Sequence, residues 1–315
     1  MTAFSSLRFL LITLLASVAW HRTQFSCWLA QRLWRSRVLR LPALSGVLVR
    51  LLATRMRLKS GCRTQQLRAE INVRRTAGDT CRVSYYRQWS EKRLLDNALY
   101  HNDARLLAQL RACGAELTDY LRLHTDPNRP VILSPLHMVS DVLASVLCAL
   151  INPGETLVIS THVDDTLGNN EAQSLEAMGV RLKKLNPLAS TGPALKALLR
   201  KVRSRQSQLV IFADAPPEVT LRLTRKAMRC DDYLLFGRPA RLHAGVSELA
   251  RLSNAQVVFF GLHQQHRRLQ LACFGVADAS NLKHVLPHVI EQALCRHPES
   301  WLLWHSPSFF YFNAK

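Results

Sequence analysis

The spacing of hydrophobic and polar positions changes near Pro130, and this change divides most of the chain into two parts. From Glu70 to about Leu123 the apolar residues recur at helical spacing, with Gly114 as a candidate helix stop. After Pro130, short β-rich runs alternate with helical stretches. The runs cover 131–136, 156–160, 180–185, 208–213, 232–236, 255–260 and 268–273, and the helical candidates cover about 138–151, 170–178, 193–204, 243–252 and 282–296.

This alternation predicts an α/β fold with a mixed, mostly parallel sheet and flanking helices. In such folds, ligand sites lie at the C-terminal ends of the strands. The polar stretch from His263 to Arg268 predicts a hairpin connection between the last two strands.

The first 60 residues have a different pattern, in which an apolar stretch is followed by bulky apolar residues alternating with arginines. Phe9 to Trp20 carries no charge, but its twelve residues are fewer than the ~20 that a spanning helix needs. Trp28 and Trp34 then stand among closely spaced arginines, which is typical of a helix at a membrane interface. We predict a helical membrane-anchoring or interfacial segment over 1–60, followed by one domain over 61–315. A signal peptide or an ordinary basic helix packed on the domain is the alternative.

Charge and cysteine usage bear on the location of the protein. The net charge is +20, and residues 1–69 hold twelve basic residues and no acidic one. Such a segment favours a polyanion, either an anionic membrane surface or nucleic acid. Because no nucleic-acid motif accompanies the charge, we expect a membrane and no nucleic acid. The eight cysteines form no C-x-x-C pair, which favours free thiols on the cytosolic side.

His137 directly follows the first predicted strand, and Asp141 comes four residues later. On a helix, residues four apart share a face. An Asp beside a His fixes its tautomer and stabilises the imidazolium, so the pair predicts a general base acting on a hydroxyl. Taken alone, this spacing is more often structural than catalytic.

Several short motifs follow in a fixed order. VIFADAPP contains Asp214, and LLFGRPA, HAGVSELA and NAQVVFF come after it, with HPESWLLWH at 297–305. Their order and spacing, over most of 125–310, resemble the lipid A biosynthesis acyltransferases, the late lauroyl and myristoyl transferases, a lysophospholipid-acyltransferase-like family. The resemblance implies a glycerolipid acyltransferase-like domain on the cytoplasmic face of the cell inner membrane. It also implies transfer of an acyl chain from an acyl carrier protein or coenzyme A thioester to a hydroxyl of a lipid or glycolipid, with no cofactor or metal.

Five residues are candidates for the site, and the resemblance implies that His137 matches the catalytic His of the family. His137 is the expected catalytic base and Asp141 its helper. Asp214, Arg222 and Arg238 are expected to bind substrate, although Asp214 is also compatible with a turn and Arg222 with a solvated basic loop.

The sequence departs from the family pattern at three places. The family usually has His-x4-Asp or His-x4-Glu, and here this spacing is one residue shorter. The family also has an Arg-Pro pair after the second strand and Arg-Arg after the final His, and both of these motifs are missing here. Since arginines bind phosphate bidentately, we expect an acceptor other than the usual lipid A precursor. The shorter spacing supports a second hypothesis, a catalytically inactive scaffold or partner protein on the membrane.

Overall fold

The computed structural model describes residues 49–50, 52–54, 56–57, 60–78, 81–152, 154–160, 175–176, 178–186, 192–224 and 228–306, without the side chains at 60 and 222–224. Most of the predicted membrane segment therefore lies outside the described residues. From Leu52 onward the chain forms one compact unit, in which Ala53 is buried and Met56 packs on the core. In the described part, no helix is both long and apolar enough to cross a membrane.

The helical region before Pro130 contains α1 (Ser60–Thr76), α2 (Tyr85–Tyr100) and α3 (Ala104–His124). The side chain of Asp103 begins α3 by accepting hydrogen bonds from the backbone N–H groups of Arg105 and Leu106. The predicted stop at Gly114 is wrong, because α3 continues for ten residues beyond it. A Cβ on Gly114 would lie 3.2 Å from Ile151 Cγ2, so this glycine permits close helix packing instead of ending the helix.

The region after Pro130 contains eight described strands: β1 (Val131–Pro135), β2 (Glu155–Ile159), β3 (Leu182–Leu185), β4 (Ser207–Ile211), β5 (Cys230–Leu235), β6 (Arg238–His243), β7 (Gln256–Gln265) and β8 (Arg268–Ala277). Six of them form one sheet in the order β3-β2-β4-β1-β7-β8. All neighbours are parallel except β7 and β8, which form the predicted hairpin. The predicted mixed, mostly parallel sheet with flanking helices is confirmed.

The described α-helices of this region are α4 (Asp141–Leu150), α5 (Gly192–Arg203), α6 (Pro217–Thr224), α7 (Gly245–Ser253) and, after the last strand, α8 (Leu282–Arg296). The predicted helix at 170–178 falls mostly outside the described residues. The sequence analysis missed α6, where it expected a loop, and β6. β5 and β6 form a separate antiparallel hairpin whose turn residues, Phe236 and Gly237, both have positive φ. Such a turn matches the twist of the two strands.

The predicted helix at 138–151 begins later, at Asp141, because Ser140 is its N-cap and accepts a hydrogen bond from Leu143 N–H. Residues 136–140 form a tight loop between β1 and α4. In this loop Met138 N–H bonds to Leu136 O and Ser140 N–H bonds to Met138 O, each at 2.6 Å. Val139, the central residue of the second turn, has φ +60°, which is unfavourable for a β-branched side chain.

The loop at 136–140 packs against β7. Met138 is fully buried, and its side chain lies against Gly261 in the middle of β7. A Cβ at Gly261 would overlap the Met138 sulfur, so an alanine here would require the Met138 side chain to shift. The sheet therefore positions the loop through close packing as well as through chain connectivity.

We expect Gly261→Ala to lower the free energy of unfolding by about 1–3 kcal/mol, because the fully buried Met138 side chain would have to shift to make room for the added Cβ. Urea unfolding followed by circular dichroism measures this loss. Gly192→Ala is the matched control, since an added Cβ there meets no atom within 4 Å. Equal stability of both variants with the wild type would show that Met138 is not held against β7.

Candidate functional site

His137 lies in the loop that follows β1, at the C-terminal edge of the sheet. β1 and β4 are parallel neighbours, so their C-terminal ends meet at this edge. Asp214 follows β4 by three residues, and its carboxylate Oδ1 is 2.8 Å from Nδ1 of His137. The pairing of two strands distant in sequence therefore brings these two side chains together.

Asp214 is completely buried and accepts described hydrogen bonds from three donors. Its Oδ1 faces His137 Nδ1, while its Oδ2 accepts from the backbone N–H of His137 at 2.9 Å and from Trp301 Nε1 at 2.7 Å. A buried carboxylate is costly unless such donors satisfy it. Because Nδ1 of His137 faces Asp214, Nε2 is the ring nitrogen left for a substrate. The His137 side chain is 19% exposed, so the imidazole is partly open to solvent.

Burial and the neighbouring charges of Asp214, Asp141 and Lys92 set the pKa of His137. Burial, the largest, lowers the pKa, but the charge of Asp214 and its hydrogen bond, together with the charge of Asp141, outweigh burial and raise it above 6.5. The same carboxylate that orients the ring therefore also stabilises the imidazolium that forms when the ring accepts a proton.

The C-terminal segment at 297–305 completes the site. Its backbone pairs with the loop, since Leu302 N–H donates to His137 O at 2.8 Å and Val139 N–H donates to Ser300 O at 2.7 Å. Trp301 is buried and carries the indole that bonds to Asp214. The motif that includes this Trp thus supplies a structural element of the site. His305 lies farther along, where its ring packs on Tyr85 at 4.9 Å between ring centroids.

The expected pairing of His137 with Asp141 through a shared helix face is wrong, because His137 precedes α4 and Asp141 is its first residue. Asp141 instead forms an ion pair with Lys92 of α2, at 2.8 Å. Lys92 also pairs with Asp96 at 2.7 Å, one turn farther along α2. Asp141 still acts on His137 electrostatically, and the partner that contacts the imidazole is Asp214.

The two predicted arginines are not part of the described site. The backbone of Arg222 belongs to α6, and its side chain lies outside the description. Arg238 is exposed at the start of β6, opposite Leu235 in the hairpin, and no described contact joins it to His137. Among the described residues there is also no group of three or more His, Cys, Asp or Glu side chains that could hold a metal ion.

Sequence analysis missed Lys92, Trp301 and the role of Asp214 as the partner of His137. One signal was present: Asp214, like His137, follows a predicted strand, and neighbouring parallel strands place such residues at one edge. No family model and no curated protein matches this chain. The resemblance to the lipid A acyltransferases therefore stays a prediction.

We expect Asp214→Asn to destabilise the protein most at acidic pH. A group whose pKa is raised by folding stabilises fully below its unfolded pKa, here 6.5, and this stabilisation is lost as the pH rises through the folded pKa. The difference in unfolding free energy between wild type and variant should therefore shrink as the pH rises above about 6.5, as measured by urea unfolding.

The exposed pair of Asp119 and Arg122, 3.1 Å apart, offers a control for the pH series. Asp119→Asn removes an exposed carboxylate that has no described contact with His137, so its small effect on the unfolding free energy should not vary over this pH range. A pH-independent difference for Asp214→Asn as well would contradict the assigned ion pair.

Proposed function

We propose that the protein is an O-acyltransferase that moves a fatty acyl chain from an acyl thioester to a hydroxyl of a lipid or glycolipid. The observation that carries the proposal is the pairing of His137 with the buried Asp214 at the C-terminal edge of the sheet, with the imidazole partly open to solvent. His, with a carboxylate that fixes its tautomer, is a common general base for activating hydroxyl groups. The resemblance of the ordered motifs supplies the reaction class.

In the proposed mechanism, Nε2 of His137 takes the proton of the acceptor hydroxyl as its oxygen attacks the thioester carbonyl carbon. Asp214 stabilises the imidazolium formed at this point. The carbon–sulfur bond then breaks, the new ester remains on the acceptor, and the proton passes from His137 to the leaving thiolate. Backbone N–H groups at the start of α4 are the proposed donors to the carbonyl oxygen during attack. No covalent intermediate on the protein is required.

For the donor we propose an acyl carrier protein or coenzyme A thioester, because acidic carriers suit a basic surface. For the acceptor we propose a lipid or glycolipid that lacks the phosphosugar pattern of the usual lipid A precursor. Among the described residues, the charges acting on His137 are the carboxylates of Asp214 and Asp141 and the ammonium group of Lys92. The arginine pairs typical of the family are missing from the sequence as well.

The second candidate function is a catalytically inactive acyltransferase-like scaffold or partner protein on the membrane. The observation in its favour is the His-x3-Asp spacing, whose carboxylate is paired with Lys92. The scaffold hypothesis predicts acyl-chain binding without turnover.

We expect His137→Ala to reduce acyl transfer by about 10²–10⁴-fold while the protein stays folded, because the general base is lost. Turnover is measured with acyl carrier protein and coenzyme A thioesters, each against the lipid A precursor and a total lipid extract. His288→Ala is the control, since this side chain is 83% exposed. Near-native turnover by a folded His137→Ala protein would contradict the assignment, and absence of turnover by the wild type with every pair would favour the scaffold.

We also propose that the N-terminal segment holds the protein on the cytoplasmic face of the cell inner membrane. Residues 1–51 precede the compact unit, so a chain that begins at Leu52 keeps Ala53 and Met56 in the core. We expect the full chain in the membrane fraction and the shortened chain in the soluble fraction, each detected by immunoblot after fractionation. If both chains sediment alike, the segment is not the membrane anchor. A salt wash separates surface electrostatics from insertion.

A further inference from the structure

Three polar side chains lie one turn apart on α2 and face the site. Gln88, Lys92 and Asp96 are spaced at four residues, so they share one face of the helix. Gln88 Nε2 donates to Glu299 O at 2.8 Å and to Trp301 O at 2.9 Å, in the C-terminal segment. The next two residues reach the other side of the site, at the start of α4.

Lys92 and Asp96 bind the first residues of α4. Lys92 Nζ lies 2.7 Å from Asp96 Oδ2 and 2.8 Å from Asp141 Oδ1. The hydroxyl of Ser140, the N-cap of α4, donates a short hydrogen bond to Asp96 Oδ1. The lysine therefore lies between two carboxylates, and only 11% of its side chain is exposed.

We propose that Lys92 is a positioning residue, which pairs with Asp141 at the start of α4 and balances its charge, so that the charge state of His137 depends on the Lys92–Asp141 ion pair. The significance for acyl transfer rests on the proposed function, whereas the ion pair and its action on His137 do not. Asp141 is the more exposed member of the pair, with 36% of its side chain accessible to solvent. Without Lys92, its carboxylate would act on the imidazole uncompensated.

The charged groups around His137 come from three elements. Asp214 follows β4, Asp141 begins α4 and Lys92 projects from α2, while the C-terminal segment contributes the uncharged indole of Trp301. Both carboxylates raise the pKa of His137, and Lys92 lowers it. Asp214 is fixed by three described donors, one of which is the imidazole itself. The Lys92–Asp141 pair therefore contributes the charges near His137 that can be changed without removing a hydrogen bond to the ring. Lysine at this position thus favours a neutral imidazole, the form that accepts a proton.

The test is an NMR titration of the His137 ring in the full chain, with the signal assigned by its absence in His137→Gln. In Lys92→Met, the ratio of protonated to neutral His137 at a fixed pH should rise by about three- to tenfold, because a positive charge is removed. In Asp141→Asn the ratio should fall, and in the double variant it should return toward the wild-type value. Lys201→Met is the matched control, since it breaks another lysine–carboxylate pair, at 3.2 Å from Glu155.

These outcomes separate the proposal from a purely structural role for Lys92. If Lys92→Met lowers the melting temperature but leaves the His137 titration unchanged, the proposal is overturned. Should Lys92→Met fail to fold, Asp141→Asn alone decides, because an unchanged ratio in that variant overturns the proposal equally. The acid limb of kcat/KM for acyl transfer should move with the NMR titration. If the titration moves but no transfer is detected with any donor, the proposed function fails and the positioning role of Lys92 stands.

Discussion

A buried carboxylate has to be satisfied by hydrogen-bond donors, and at Asp214 the donors come from parts of the chain far apart in sequence. The loop after β1 supplies the backbone and ring of His137, and the C-terminal segment supplies the indole of Trp301. An unsatisfied carboxylate in this place would cost several kcal/mol. The packing of the C-terminal segment on the loop and the orientation of the imidazole therefore depend on the same carboxylate. The rest of the site depends on it.

The loop that carries His137 is strained, and its surroundings keep it in place. Val139 has a positive φ, which costs on the order of 1–3 kcal/mol for a residue of this kind. Backbone bonds to Ser300 and Leu302 hold the loop on one side, and Met138 is packed against Gly261 on the other. Such strain is typical of positions where a side chain has to be aimed at a ligand. Here it is consistent with a His whose direction matters.

α2 contacts both the C-terminal segment and the start of α4. Its polar face bonds to the C-terminal segment through Gln88 and to the start of α4 through Lys92 and Asp96. Buried polar groups of this kind contribute specificity of position more than net stability, because desolvation offsets much of their attraction. In this protein they fix where α4 begins and, with it, where Asp141 stands relative to His137.

Local spacing was enough to predict most of the strands and helices, although not α6 or β6, since apolar runs of strand length and amphipathic stretches are visible in the sequence. It also determined that His137 and Asp214 follow strands, which placed both at the edge where sites form. Which carboxylate contacts the imidazole depends on tertiary contacts. Nearness in sequence favoured Asp141 as the partner of His137. The pairing of β1 with β4 instead brings Asp214, 77 positions away, to the imidazole, and Asp141 pairs with Lys92 of α2. Similarly, Gly114 resembled a helix stop in the sequence, whereas in the structure it allows α3 to pack closely on the end of α4. Contacts of this kind depend on strand order and helix packing, which local spacing does not encode.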